Sequence, residues 1–140
     1  MSSDYVISKI LSSNDTGETG SHQVGILIPK KPQILDFFPA LDPKQKNPRV
    51  NLSFLDEHQV EWNFAFIYYN GLFFGGTRNE YRLTKMTSYI RSCNLKAGDE
   101  VILLKNDTGY RYVSYKRKPV IKVDQGYALI LGRGWKIINY

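Results

Sequence analysis

Runs of strand length, broken at short intervals by turn residues, recur along this chain and leave it few folds to choose from. Residues 5–11 (YVISKIL), 23–29 (QVGILIP), 50–56 and 60–70 (VEWNFAFIYYN) alternate or run apolar at strand length. Residues 100–105, 110–116, 120–123 and 127–131 do the same, separated by turn chemistry at 106–109 (NDTG) and 124–126 (DQG). Asn70-Gly71 is a turn dipeptide that favours a hairpin. Helix signals are few. Residues 33–41 (QILDFFPAL) offer a turn or two, led by Pro32 and disturbed by Pro39. Residues 87–95 (TSYIRSCNL) predict a short helix capped by Thr87 or Ser88, with Tyr89, Ile90 and Cys93 on one face. Many short strands and two short helices predict a mainly β domain, a barrel or sandwich with helices plugging its ends.

At 140 residues the chain predicts one domain, 1–140, and its 42% hydrophobic and 14% aromatic content excludes a disordered polymer. No run of eighteen apolar residues and no basic-then-apolar leader is read, so neither a membrane partner nor secretion is expected. The single cysteine, Cys93, suits a reducing cytosol. A formal charge of +6 gives a mild bias towards polyanions, and where the charges lie says more than their sum.

Two segments break the core-forming pattern. Residues 12–23 (SSNDTGETGSHQ) hold no aliphatic or aromatic hydrocarbon side chain. A polar loop of that length inside a compact domain is functional or simply solvated. Its Asn, Thr, Ser, His and Gln groups can hydrogen-bond base edges, and Gly17 and Gly20 permit close backbone approach. The second segment is 75–82 (GGTRNEYR). If extended, it aligns Arg78, Glu80 and Arg82 on one face and Asn79, Tyr81 and Leu83 on the other; if helical, Arg78 and Arg82 share a face without Glu80. An Arg–Glu–Arg comb suits a G·C-rich major groove, because guanidinium forks to guanine O6 and N7 while a carboxylate accepts from cytosine N4. The plain alternative is an exposed strand with neutralising pairs. Asp15, Glu18 and Glu80 favour specific readout if these arms touch DNA, since a non-specific binder gains affinity only by neutralising phosphate.

The same segments resemble a known family. Ser12-Ser13-Asn14-Asp15-Thr16-Gly17-Glu18-Thr19-Gly20-Ser21-His22-Gln23-Val24-Gly25 is similar to the first recognition arm of the N-terminal effector domain of EcoRII-type restriction endonucleases. Ile67-Tyr68-Tyr69-Asn70, followed by Gly75-Gly76-Thr77-Arg78-Asn79-Glu80-Tyr81-Arg82-Leu83-Thr84, resembles that domain's second arm. Asn94-Leu95-Lys96-Ala97-Gly98-Asp99-Glu100-Val101 resembles the Leu-x-x-Gly-Asp turn of plant B-three-type DNA-binding domains, which share the fold. The near-identical stretches cover about a quarter of the chain.

The resemblance implies a DNA-binding pseudobarrel of about seven strands with a short helix at each end, gripping the major groove with two arms. It implies a bacterial, cytoplasmic type IIE restriction endonuclease in which this effector domain binds a CCWGG-like site and controls a separate nuclease domain. The DNA contacts implied are Ser13, Asn14, Asp15, Thr16, Glu18, Thr19, His22 and Gln23 on the first arm. Tyr69, Thr77, Arg78, Asn79, Glu80, Tyr81, Arg82 and Lys85 are those on and beside the second. No cofactor is expected here, any magnesium belonging to the nuclease domain, and the isolated domain is expected to be a monomer. Leu72, Gly76 and Tyr81 replace basic residues of the family's arm, and Lys85 and Met86 stand where it has Arg and Trp. Phosphate grip and site preference are therefore open.

Three other readings compete with this one, the third being a protein-binding module for which no feature argues specifically. A metal-dependent nuclease needs clustered carboxylates and a lysine, yet Asp42-Pro43-Lys44 sits in a Pro-rich loop, and His22, His58 and Cys93 lack ligand spacing. A single-stranded nucleic-acid binder could use the ten tyrosines as stacking platforms beside Lys116-Arg117-Lys118, against the bland reading of core and surface aromatics.

Overall fold

A computed structural model describes residues 4–18, 25–119, 129–130 and 134–138. The predicted strands 120–123 and most of 127–131 lie outside the described residues. Among the described residues one sheet carries nine strands: β1 (Tyr5–Ile10), β2 (Ile26–Ile28), β3 (Arg49–Leu55), β4 (Glu61–Tyr69), β5 (Glu80–Thr84), β6 (Glu100–Lys105), β7 (Arg111–Lys116), β8 (Leu129–Ile130) and β9 (Trp135–Ile137). Their spatial order is β2-β5-β4-β3-β7-β6-β1-β9-β8. Every pairing is antiparallel except β3 with β7, which meet in parallel at Leu55 and Tyr112.

The sheet curls into a pseudobarrel, as expected, with more strands than the seven implied. The extra elements are short: β9 was not predicted, because three residues after a glycine make no visible alternation. The two flanks of the sheet meet where Trp135 on β9 donates its indole N–H to the Leu27 carbonyl of β2 at 3.0 Å. Between β2 and β3 the chain crosses one end of the barrel. There Tyr5 donates its hydroxyl to the Gln33 carbonyl at 2.6 Å, and Lys105 donates to the Phe37 carbonyl at 2.9 Å.

Three short α-helices accompany the sheet among the described residues: α1 (Ser13–Thr16), α2 (Pro32–Leu35) and α3 (Thr87–Ser92). α2 begins on Pro32, whose missing N–H costs nothing at a helix start, and stops at Leu35, short of the predicted residue 41. In α3 the cap position falls on Met86 rather than Thr87 or Ser88. The helix ends where Asn94 takes φ +52°, and Arg117 donates to the exposed carbonyls of Cys93 (2.6 Å) and Asn94 (3.0 Å). Asn70-Gly71 does not form the tight hairpin turn predicted. Neither residue has the positive φ such a turn needs, and the buried Asn70 amide accepts from the Asn47 N–H and donates to the Pro43 and Gln45 carbonyls. β4 and β5 still pair, but through a longer connection that begins with a 3₁₀ turn, Gly71–Phe74.

The core is built from inward residues of the alternating strands, among them Ile7, Phe54, Phe64, Leu83, Leu103 and Trp135. Each fully buried Phe or Leu contributes roughly 1.5–3 kcal/mol of transfer free energy. An aromatic file runs from this core out to the second arm. Phe38 stacks on Phe66 at 4.5 Å, Phe66 on Tyr81 at 5.5 Å, and Tyr81 on Tyr68 at 4.3 Å. It fixes the height of β5, and therefore of everything on its other face.

Candidate nucleic-acid interface

The first arm leaves β1 through a locked root. Ser12 caps α1 in a capping box: its hydroxyl accepts from the Asp15 N–H at 3.2 Å, and the Asp15 carboxylate accepts from the Ser12 N–H at 2.9 Å. The same carboxylate oxygen takes the Lys9 ammonium at 2.6 Å, both side chains being almost wholly buried. Lys9, near the end of the mostly apolar β1, thus has an internal partner, and Asp15 is turned into the protein. Gly17 closes α1 with φ +81°.

Glu18 then bridges to another loop. One carboxylate oxygen accepts from the Thr16 hydroxyl at 2.7 Å and from the Ala97 N–H at 2.6 Å. The Thr16 hydroxyl first, and the Ala97 amide second, hold the Glu18 carboxyl below its ordinary range. Ala97 belongs to the Leu-x-x-Gly-Asp turn, whose own organiser is buried Asp99. That carboxylate accepts from the N–H of Lys96 (2.8 Å) and Lys118 (2.7 Å). Burial pushes the Asp99 carboxyl up, but those amides and the Arg117 guanidinium outweigh it and hold it below the usual range. Gly98 N–H and the Asp99 carbonyl grip both sides of Leu11, so the turn and the arm's root move as one piece.

Ser13 and Asn14 are exposed on the outside of α1, and Thr16 is half-buried. Thr19, His22 and Gln23 lie outside the described residues.

The second arm is extended where it carries its charges, which decides between the two periodicities read from sequence. β5 pairs Glu80 with Tyr69 and Arg82 with Ile67. Arg78, Glu80 and Arg82 line one face. Glu80 accepts from Arg78 Nη2 at 2.8 Å and from Arg82 Nε at 3.2 Å. Arg78 lies over the Tyr69 ring, 3.7 Å from its centroid, a cation–π contact. Burial pushes the Glu80 carboxyl up, yet the two guanidiniums prevail and keep it below its ordinary range. On the opposite face Tyr81 joins the aromatic file, and Asn79 accepts from the Tyr68 hydroxyl at 2.7 Å. Thr77 and Lys85 are exposed, Lys85 at φ +66° just past the strand.

The two arms meet at Gly25. Its carbonyl accepts from Arg82 Nη1 at 2.8 Å, which ties the end of the first arm to the comb of the second. At φ +96° it also passes so near β5 that a Cβ there would lie 2.6 Å from Thr84 Cγ2 and 2.8 Å from the Leu83 carbonyl oxygen. Sequence reading did not single out Lys9, Gly25, Ala97 or Asp99 as parts of the site. Only the capping-box spacing Ser12-x-x-Asp15 and the lysine inside an apolar strand signalled the anchor. Among the described residues no group of three His, Cys, Asp or Glu side chains could hold a metal, and no helix is long and apolar enough to cross a membrane.

Residues 1–96 match the family described as restriction endonuclease EcoRII, N-terminal. The chain belongs to that family. The type II restriction enzyme EcoRII of Escherichia coli is 43% identical over 84 residues, 58% of this chain and 20% of the enzyme. Beyond the EcoRII N-terminal family, auxin response factor 15 of Oryza sativa subsp. japonica is 29% identical over 118 residues, 84% of this chain and 15% of its own. Auxin response factor 4 of Arabidopsis thaliana is 30% identical over 113 residues, covering 81% and 13%. The chain thus spans a fifth or less of the length of these relatives. The resemblance read from the arms is borne out: this is an EcoRII-N-type domain on the DNA-binding pseudobarrel it shares with the plant proteins.

Proposed function

We propose that this domain binds double-stranded DNA sequence-specifically by setting both arms in the major groove, and that it serves as the effector part of a larger bacterial restriction endonuclease of the type IIE kind. The observation that carries the reading is the row in which Arg78, just before β5, and Arg82, within it, both bond Glu80. An isolated carboxylate facing DNA is repelled by phosphate, but this one is held between two guanidiniums and the row stays net positive. Arg78, its side chain 46% exposed while Glu80 and the Tyr69 ring hold it, can present its outer edge to guanine, and Glu80 can accept from cytosine N4. The first arm supplies Ser13, Asn14, Thr16, Thr19, His22 and Gln23 as further donors and acceptors. Asp15 and Glu18 contribute by holding that arm to Lys9 and Ala97. Tyr69 supports Arg78 from below, while Thr77, Asn79, Tyr81 and Lys85 set the strand and its flanks.

In this reading the domain is non-catalytic, needs no cofactor, is monomeric when isolated, and works in the bacterial cytoplasm beside a magnesium-dependent nuclease domain of the same protein. Selection from a randomised duplex pool tests it. A C·G-rich site resembling CCWGG should emerge, bound roughly a thousandfold or more above scrambled duplex at physiological salt. No enrichment would contradict specific readout. Incubation with magnesium and plasmid should leave the DNA intact. The single-stranded reading needs outward tyrosine faces: Tyr68 and Tyr81 stack on each other and Tyr89 is buried, which leaves Tyr110, 65% exposed, as the outward ring it would use. A single strand that outcompetes the duplex would restore it.

A further inference from the structure

Among the described residues, the exposed apolar side chains gather at one place. Leu72, Phe73 and Phe74 form the 3₁₀ turn between β4 and the comb, and all three are exposed, Phe73 by 65%. Elsewhere the described exposed large apolar residues stand singly, at Ile10, Val60 and Tyr110. Three adjacent ones covering no core are a surface waiting for a partner.

The turn is built firmly. Gly75 closes it at φ +88°, Gly76 N–H donates to the Gly71 carbonyl at 2.8 Å, and Leu72 N–H donates to the Arg78 carbonyl at 2.8 Å. That last bond makes the apolar turn a direct continuation of the residue that heads the comb. An occupant that spans the turn and the comb would suit hydrocarbon and a guanidinium together, the guanidinium facing an anion or base edge. Of the groups in a major groove, only the thymine 5-methyl offers hydrocarbon beside such acceptors.

We propose that Phe73, supported by Leu72 and Phe74, packs against thymine 5-methyl groups next to the bases met by Arg78, adding an apolar specificity contact to the polar ones. This rests on the duplex-binding reading. It commits the turn to DNA rather than to a protein surface.

The test uses the duplex enriched from the randomised pool and the same duplex with every thymine replaced by deoxyuridine, which deletes only the methyl groups. Anisotropy titrations of the parent domain should show about fourfold weaker binding to the deoxyuridine duplex for each methyl contacted. Phe73→Ser, an exposed change whose fold is checked by its melting curve, should bind the thymine duplex more weakly and discriminate the two duplexes by less than about 1.5-fold. A selected site without thymine, or equal binding of both duplexes by the parent, overturns the inference while duplex readout stands. So does a Phe73→Ser protein with the parent's discrimination, which would leave the turn to a protein partner. Failure to enrich any duplex overturns both readings.

Discussion

Removing the Asp15 carboxylate tests whether the first arm is anchored from inside. Lys9 and Asp15 are 6% and 10% exposed at the side chain and 2.6 Å apart. Asp15→Ala leaves the Lys9 ammonium with the Ile10 carbonyl at 3.2 Å as its remaining hydrogen-bond acceptor, and opens the box that caps α1. Breaking one partner of a buried pair costs about 3–5 kcal/mol, and a lost cap about 1 kcal/mol that partly overlaps it. A total near 4 kcal/mol is expected, which lowers the melting temperature by roughly 10–15 °C for a chain of this size. Lys9→Met should also destabilise, by less, because the Asp15 carboxylate keeps the Ser12 amide. The double variant should be more stable than the sum of the two predicts, by about 2–3 kcal/mol, since no charge is then left alone. Urea unfolding of the four proteins gives the cycle. An Asp15→Ala cost under about 1 kcal/mol, or additivity within about 0.5 kcal/mol, would refute the internal anchor and return Asp15 to the DNA face.

Three further outcomes follow from the same geometry. Gly25→Ala should cost about 2–5 kcal/mol, from a strained φ and overlap with β5, and should weaken cognate binding beyond that by parting the arms, as urea unfolding and titration would show. Asp99, with its carboxyl held low, stabilises the native state above the unfolded carboxyl range and ceases to as pH falls through its lowered value. The melting-temperature gap between parent and Asp99→Asn should therefore be constant near neutrality and close below about pH 4. Lys116, exposed near the Leu-x-x-Gly-Asp turn, should act on phosphate alone: Lys116→Ala should weaken cognate and scrambled duplexes alike and reduce the salt slope by about one unit.

Much of this architecture was legible because burial on alternate positions leaves a period of two in sequence. β6 coincides with the predicted 100–105, and β1, β3, β4 and β7 lie within a residue or so of expectation. The comb was legible for the same reason, once β5 proved extended. What escaped reading depends on contacts distant in sequence. Trp135 meets Leu27, and Glu18 meets Ala97, through bonds that no local pattern announces. Asn70-Gly71 misled because a buried amide had a loop to hold, and tertiary bonding overrode the local turn preference. Asp15 and Glu18 read as base-facing acids because their internal partners, Lys9 and the Ala97 amide, are set by packing rather than by composition.

The central claim is that the comb reads bases, and Glu80→Ala weighs it most directly. Titrations against the selected duplex and a scrambled one should show weaker cognate binding by about 1–3 kcal/mol, with non-specific binding unchanged or improved. The ratio of the two affinities then falls about tenfold or more. A carboxylate that merely neutralises Arg78 and Arg82 predicts the opposite: its removal frees two positive charges, and both duplexes bind more tightly by the same factor. That second result would show the row on β5 to be surface charge, not a reading head.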